Sequence, residues 1–341
     1  MKRKIQQLGS STLAVTLPAE WVREQDLSKA DQLVVQRDEN SGSLLVVPDD
    51  PETTEAEVTI DAASLSPESV RRAILGQYVL GRQLIRIESD QPLDPTVLDE
   101  IIEIERRLMG LGVVEEGSDV VVARCSVDPG DFELPTLMKR LWRTESTMRT
   151  ETVEALLTDD LASARRAVKR RSQIEKLFYL FLRLVFATYR DPRLNQSVGL
   201  ETGFPLLGYR SVAQDVVLMA DADRTVATLL LDADGFDLDD ATSTRLEAVT
   251  DSLSRLATAT RRAVTAPTVG ATTESHAIVD ELESDVDDAQ AHLESARPEP
   301  LLRIQRTLSA FQKSGGHAAD SLDVATNFAY RSSPTTASDE T

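Results

Sequence analysis

The rhythm of apolar and polar positions changes twice along this chain. In the first 47 residues it has a period of two. Lys4-Ile5-Gln6-Gln7-Leu8 and Leu13-Ala14-Val15-Thr16-Leu17 read as strands broken by Gly9-Ser10-Ser11. Pro18 opens a short helix over Ala19–Gln25, where its missing N–H costs nothing. Two more strands, Gln32–Arg37 and Ser43–Val47, flank the turn Asp38-Glu39-Asn40-Ser41-Gly42. Residues 61–130 mix both periods: a helix from Pro67 to Val79, a strand Leu84–Glu88, a helix Thr96–Met109 and a hairpin of Val113-Val114 with Val120–Ala123. From Glu133 the pattern is helical, with helices expected near 133–157, 159–190, 206–231, 238–266, 273–296 and 300–330. Ile174, Leu177, Phe178, Phe181, Leu182 and Val185 form an apolar stripe, read as bundle core.

Four short strands and one helical turn cannot bury a core alone. The single cysteine, Cys125, excludes an intrachain disulfide and is expected in the core. Histidine is equally scarce: His276, His292 and His317 have no second His or Cys at ligand spacing, and His317 is expected to cap or pack the last helix. With no metal or disulfide to staple the first 47 residues, a second copy is the physical answer, so a homodimer is expected.

The 341 residues carry a net charge of −20, yet residues 1–47 sum to zero. The whole deficit lies downstream of Pro48, which argues against nucleic-acid binding by the bulk of the chain. There are 30 Arg and 7 Lys against 31 Asp and 26 Glu. Asp-rich, Lys-poor surfaces stay hydrated in concentrated salt and suit a halophile's cytosolic protein; an acidic protein from a GC-rich mesophile fits the same counts. The N-terminus has no signal-peptide pattern, and the most apolar run, Leu177–Ala187, is interrupted by Arg183 and too short to span a bilayer. A cytoplasmic protein without a transmembrane segment is expected. No phosphate loop, nucleophile elbow or Ser/His/Asp arrangement is present, so an enzyme is not expected.

The segments Arg3-Lys4-Ile5, Leu8-Gly9-Ser10-Ser11, Val15-Thr16-Leu17-Pro18-Ala19-Glu20-Trp21 and Asp31-Gln32-Leu33-Val34-Val35 together resemble the SpoVT/AbrB swapped-hairpin family. The resemblance implies interleaved hairpins of two chains that present basic residues to DNA. The DNA-binding candidates are Lys2, Arg3, Lys4, Ser10, Ser11 and Arg23. Each also has a plain reading: Lys2–Lys4 as a solubilising terminus, Arg23 as a partner of Asp26.

Behind this head, Asp160-Leu161-Ala162, Val168, Ile174-Glu175-Lys176-Leu177, Glu283-Ser284-Asp285-Val286-Asp287 and Gly315-Gly316-His317-Ala318-Ala319-Asp320 resemble the PhoU family of phosphate-uptake regulators. The layout is similar to archaeal proteins that join both parts. The fold class implied is mainly α: two tandem three-helix PhoU-like bundles, preceded by a small β-rich swapped-hairpin domain and a short α/β segment. The divisions are a DNA-binding and dimerisation domain (1–47), an acidic linker (48–60), a connecting α/β domain (61–130), a bundle (131–332, units 133–231 and 238–330) and a disordered tail (333–341).

The PhoU family holds iron or other cations on E/D-x-x-x-D pairs, whose spacing places two carboxylates on one helix face. Here Arg171 stands at the leading position and leaves Glu175 alone, while Gln312, Lys313 and Gly316 replace a further set. Glu283 and Asp287 survive as a pair, which in an acidic, Asp-rich helix is more often a solvated face than a metal site. A divalent or ferric metal therefore has only Glu175, Glu283 and Asp287 as candidates, and no cofactor is expected. The function implied is a phosphate-responsive regulator that binds DNA. The alternative is a signalling adaptor, docking on a phosphate transporter or sensor kinase through the bundle, with the head serving only to dimerise.

Overall fold

The structure, a computed structural model, describes residues 2–9, 11–37, 44–48, 57–191, 194–200 and 204–332. Ser10, the turn 38–42, most of the expected linker and the expected disordered tail 333–341 lie outside the described residues. The chain divides into two compact units, Met1–Glu55 and Ala56–Thr341.

The head contains two antiparallel pairs. Strands β1 (Gln6–Gln7) and β2 (Leu13–Ala14) pair Gln6 with Ala14 and Gln7 with Leu13. Helix α1 (Ala19–Glu24) follows Pro18, and β3 (Leu33–Arg37) pairs with β4 (Leu44–Pro48) from Leu33 opposite Pro48 to Arg37 opposite Leu44. Strands β1 and β2 are shorter than the alternation predicts. No described head residue is fully buried. Ile5, Leu8, Leu13, Val15, Val35, Leu44 and Leu45 stand 41–70% exposed.

The body begins with a strand that sequence reading assigned to the linker 48–60. Glu57–Asp61 forms β5 and runs parallel to β6 (Leu84–Glu88), turning Val58 and Ile60 inward. Helix α2 (Pro67–Val79) makes the crossover. Its start is set by the Ser66 hydroxyl, which accepts from the Ser69 N–H at 3.3 Å, with proline at the first helical position. Helix α3 (Pro95–Arg107) is capped the same way by Asp94, whose Oδ1 accepts from the Thr96 N–H at 2.8 Å. Strands β7 (Leu111–Glu116) and β8 (Val120–Cys125) complete a sheet of order β5-β6-β8-β7. Ile74, Tyr78, Ile85, Ile87, Ile104 and the expected core residue Cys125 fill the space between sheet and helices. Tyr78 keeps its hydroxyl satisfied by donating to the Met109 carbonyl at 2.9 Å.

The rest is helical: α4 (Leu134–Thr158), α5 (Leu161–Arg190), the short α6 (Asn195–Val198), α7 (Phe204–Ala233), α8 (Asp240–Thr265), α9 (Val269–Ala296) and α10 (Leu301–Ser332). Helix α6 occupies a stretch expected to be a break, and α9 starts four residues before the expected 273 because Thr268 caps it. Helices α4, α5 and α7 pack together, as do α8, α9 and α10; α7 lies along α10 and joins the two groups in one core. The α4–α5 and α7–α8 turns meet, where the Asp159 carboxylate accepts from the Phe236 N–H at 3.1 Å. Gly235 sits there at φ +98°, and a Cβ would fall 2.9 Å from the Asp159 oxygen.

Candidate nucleic-acid interface and charged clusters of the body

Among the described residues, the candidate DNA-binding cations of the head are displayed rather than paired. Lys2, Arg3 and Lys4 precede β1 and are all exposed, as is Ser11 at the hairpin turn. That turn pivots on Gly9, whose φ of +87° favours glycine although nothing crowds the position. The Leu8 N–H donates to the Thr12 carbonyl at 2.8 Å and closes it. Arg23 does not pair with Asp26; its Nε donates to the Ala19 carbonyl one turn back at 3.2 Å, and the guanidinium stays exposed. Before β3 the Asp31 carboxylate accepts from the Ser28 N–H at 2.6 Å and from its hydroxyl at 3.1 Å, fixing the bend at Ala30, which adopts φ +88°.

The apolar surface decides what this head does first. A fully buried Val, Leu or Ile contributes about 1.5–3 kcal/mol, so seven largely exposed ones offer on the order of 10 kcal/mol to a partner that covers them. A second copy of the head, contributing the same side chains, fits that need.

In the body, the sequence-predicted metal candidates do not come together. Glu175 is half-buried and engaged, accepting from an Arg107 Nη2 and from the Tyr179 hydroxyl at 3.0 Å. Arg171, one turn before it, forks onto Asp221 of α7 at 2.6 and 3.2 Å. Glu283 and Asp287 are exposed on α9, and neither joins a group of potential ligands among the described residues.

Two clusters were not legible from spacing. The first is fully enclosed. Glu145 and Arg149 of α4 pair at 2.9 Å, and Asp223 of α7, with no exposed surface, lies beside them. Among the described residues neither Asp223 oxygen has a hydrogen-bond partner, and Glu145 Oε2 has none. Burial above all, with Glu145 adding to it and Arg149 opposing, holds the Asp223 carboxyl well above the carboxylate range. The second lies on the α7–α10 seam, where Asp215, His317 and Asp320 converge. His317 thus sits in mid-helix beside two carboxylates rather than at a cap.

Residues 6–54 match the family model of antidote-toxin recognition MazE, bacterial antitoxin. The N-terminal unit thus contains a MazE/AbrB-like, swapped-hairpin type of domain, which at the coarsest level suggests DNA binding and dimerisation. The match covers the head alone, well under half of the chain, and carries nothing about the body. No curated protein matches the chain. Among the described residues no helix is long and apolar enough to cross a membrane.

Proposed function

We propose that the protein is a dimeric transcriptional regulator of phosphate uptake, whose head binds promoter DNA and whose helical body reports the phosphate state. The observation that carries the DNA-binding part is a head with no fully buried residue, displaying Lys2, Arg3, Lys4 and Arg23 free of carboxylate partners, among the described residues. Phosphate as the signal rests on the likeness of α4–α10 to tandem three-helix PhoU units. The test is fluorescence anisotropy of the purified dimer with fragments tiled over promoters of phosphate-transport genes. Specific binding at a subset of fragments, weakened by a Lys2/Arg3/Lys4→Ser variant, supports the reading. An intact dimer that binds no fragment above random DNA refutes it.

The zero net charge of residues 1–47 favours a second reading. In it the head only dimerises, and the body docks on a phosphate transporter or a sensor kinase. Phosphate-dependent gene expression in cells that carry the Lys2/Arg3/Lys4→Ser variant separates the two. Retained regulation belongs to the adaptor, and lost regulation in an intact dimer belongs to the DNA binder.

A further inference from the structure

Helices α7 and α10 run side by side over most of their length, so side chains far apart in sequence are held on two rigid elements. Asp215 projects from α7; His317 and Asp320 project from α10 one turn apart. Each offers one ligand atom, and these atoms lie within 4.8 Å of one another. His317 Nδ1 is 3.7 Å from Asp320 Oδ2. The Ser321 hydroxyl donates to Asp215 Oδ2 at 2.9 Å and orients that carboxylate, leaving Oδ1 without a hydrogen-bond partner among the described residues.

Two further facts separate this cluster from an ordinary acidic surface. The first is its depth: Asp215 and His317 are half-buried, and among the described residues no arginine or lysine reaches Asp215 within ion-pair distance. Its carboxylate thus stands without a basic side chain in contact, and a bound cation would supply the missing counter-charge. The second is access. His317 lines a cleft of about 510 Å³ between α7 and α10, whose walls include Leu218, Thr225, Arg306 and Lys313. The cleft thus brings solvent to the His317 side of the cluster.

We propose that Asp215, His317 and Asp320 form a binding site for a divalent transition-metal cation on the α7–α10 seam. One imidazole nitrogen and two carboxylate oxygens suit zinc, manganese or ferrous iron. An all-oxygen set, as magnesium or calcium prefers, is not offered. Ser321 is a positioning residue for Asp215. The exposed pair Glu283–Asp287 plays no part. The site does not depend on the head's binding DNA.

Equilibrium dialysis of the chelator-stripped full-length protein against Zn²⁺, Mn²⁺ and Mg²⁺, read by elemental analysis, tests it. One zinc or manganese per chain is expected, undisturbed by a large excess of Mg²⁺. H317Q and D215N abolish that equivalent, and S321A weakens it about 10-fold, as losses of an orienting hydrogen bond do. H276Q, H292Q and E283Q leave it unchanged. Circular dichroism of each variant confirms the helical content. Should D215N fail to fold, D320N, at an exposed position, still reports. A Co²⁺ visible spectrum in the wild type that is lost in H317Q gives an independent readout. No binding at one per chain, or binding equally strong in H317Q, overturns the proposal.

Discussion

Arg183 interrupts the most apolar run of the chain, and its replacement by methionine is the sharpest test of how the body holds together. Its side chain is 2% exposed on α5 and reaches the C-terminal end of α2. Nη1 donates to the Tyr78 carbonyl at 2.6 Å and to the Arg82 carbonyl at 3.0 Å; Nη2 donates to the Gly81 carbonyl at 3.3 Å. The guanidinium also lies 5.0 Å from the Tyr78 ring centre. A helix end leaves carbonyls without intrahelical partners and with partial negative charge, so one buried cation here satisfies three acceptors at once. Hydrogen bonds to a charged donor are worth about 1.5–3 kcal/mol each, but the three share one guanidinium and the third is long. Methionine restores the apolar stem and none of the donors, so R183M should cost about 4 kcal/mol. For a domain of this size that lowers the melting temperature by about 10 °C. Thermal denaturation followed by far-UV circular dichroism measures it, and hydrogen exchange should quicken first in α2. R190M is the control: Arg190 donates to the Leu80 carbonyl at 3.0 Å from an exposed position, and its loss should cost under about 1 kcal/mol. If R183M melts within about 2 °C of the wild type, the buried guanidinium is not what docks α2 on the bundle.

Asp223 gives a pH test. Its folded-state carboxyl is raised, so the native state binds more protons than the unfolded chain above the ordinary aspartate range. Stability must then fall as pH rises through that window, by about 1.4 kcal/mol per pH unit, and D223N should flatten the fall; parallel urea midpoints at pH 5 and 8 for both proteins would refute this. In the head, L13E should leave the body's melting unchanged while converting the dimer to monomer by light scattering, since Leu13 is 66% exposed in the single chain; an intact L13E dimer places the interface elsewhere. Gly315 lies against Leu282 of α9, so tightly that a Cβ would overlap it; G315A should destabilise by about 1–3 kcal/mol through overpacking, read from chemical denaturation. If DNA is held by Lys2, Arg3, Lys4 and Arg23 in two copies, the slope of log affinity against log salt should be no steeper than about −7; a steeper slope requires cations outside the head.

Much of the architecture was legible where pattern and local chemistry agree. Leu84–Glu88 forms a strand over the residues its alternation marks, and Ser66-Pro67 and Asp94-Pro95 announce their helices. Strand β5 was missed because Glu57-Val58-Thr59-Ile60-Asp61 carries only two apolar residues beside an acidic tract. It forms because parallel pairing with β6 covers those two. The candidate site was hidden for a different reason. Asp215 and His317 belong to helices whose pairing no local pattern encodes, and a search for a second His or Cys near His317 passes over carboxylates brought by another element. Glu175, conversely, stood at a plausible ligand spacing, but its charge is consumed by Arg107, 68 residues earlier.

The excess of arginine over lysine has a structural cause beyond surface hydration. In the body the forked guanidinium is used repeatedly where one ammonium would not serve. Arg170 grips both oxygens of Glu151 at 2.6 and 2.8 Å, Arg171 both oxygens of Asp221, and Arg183 three carbonyls. Lys176, by contrast, makes a single bond of 3.3 Å to the Arg106 carbonyl. A planar fork satisfies two acceptors with little further loss of freedom, and its weaker hydration lowers the cost of burying it. These contacts join α4 to α5, α5 to α7 and α5 to α2, so they tie the α/β segment and the first three helices together. The forked arginines are the part of the composition that packing explains.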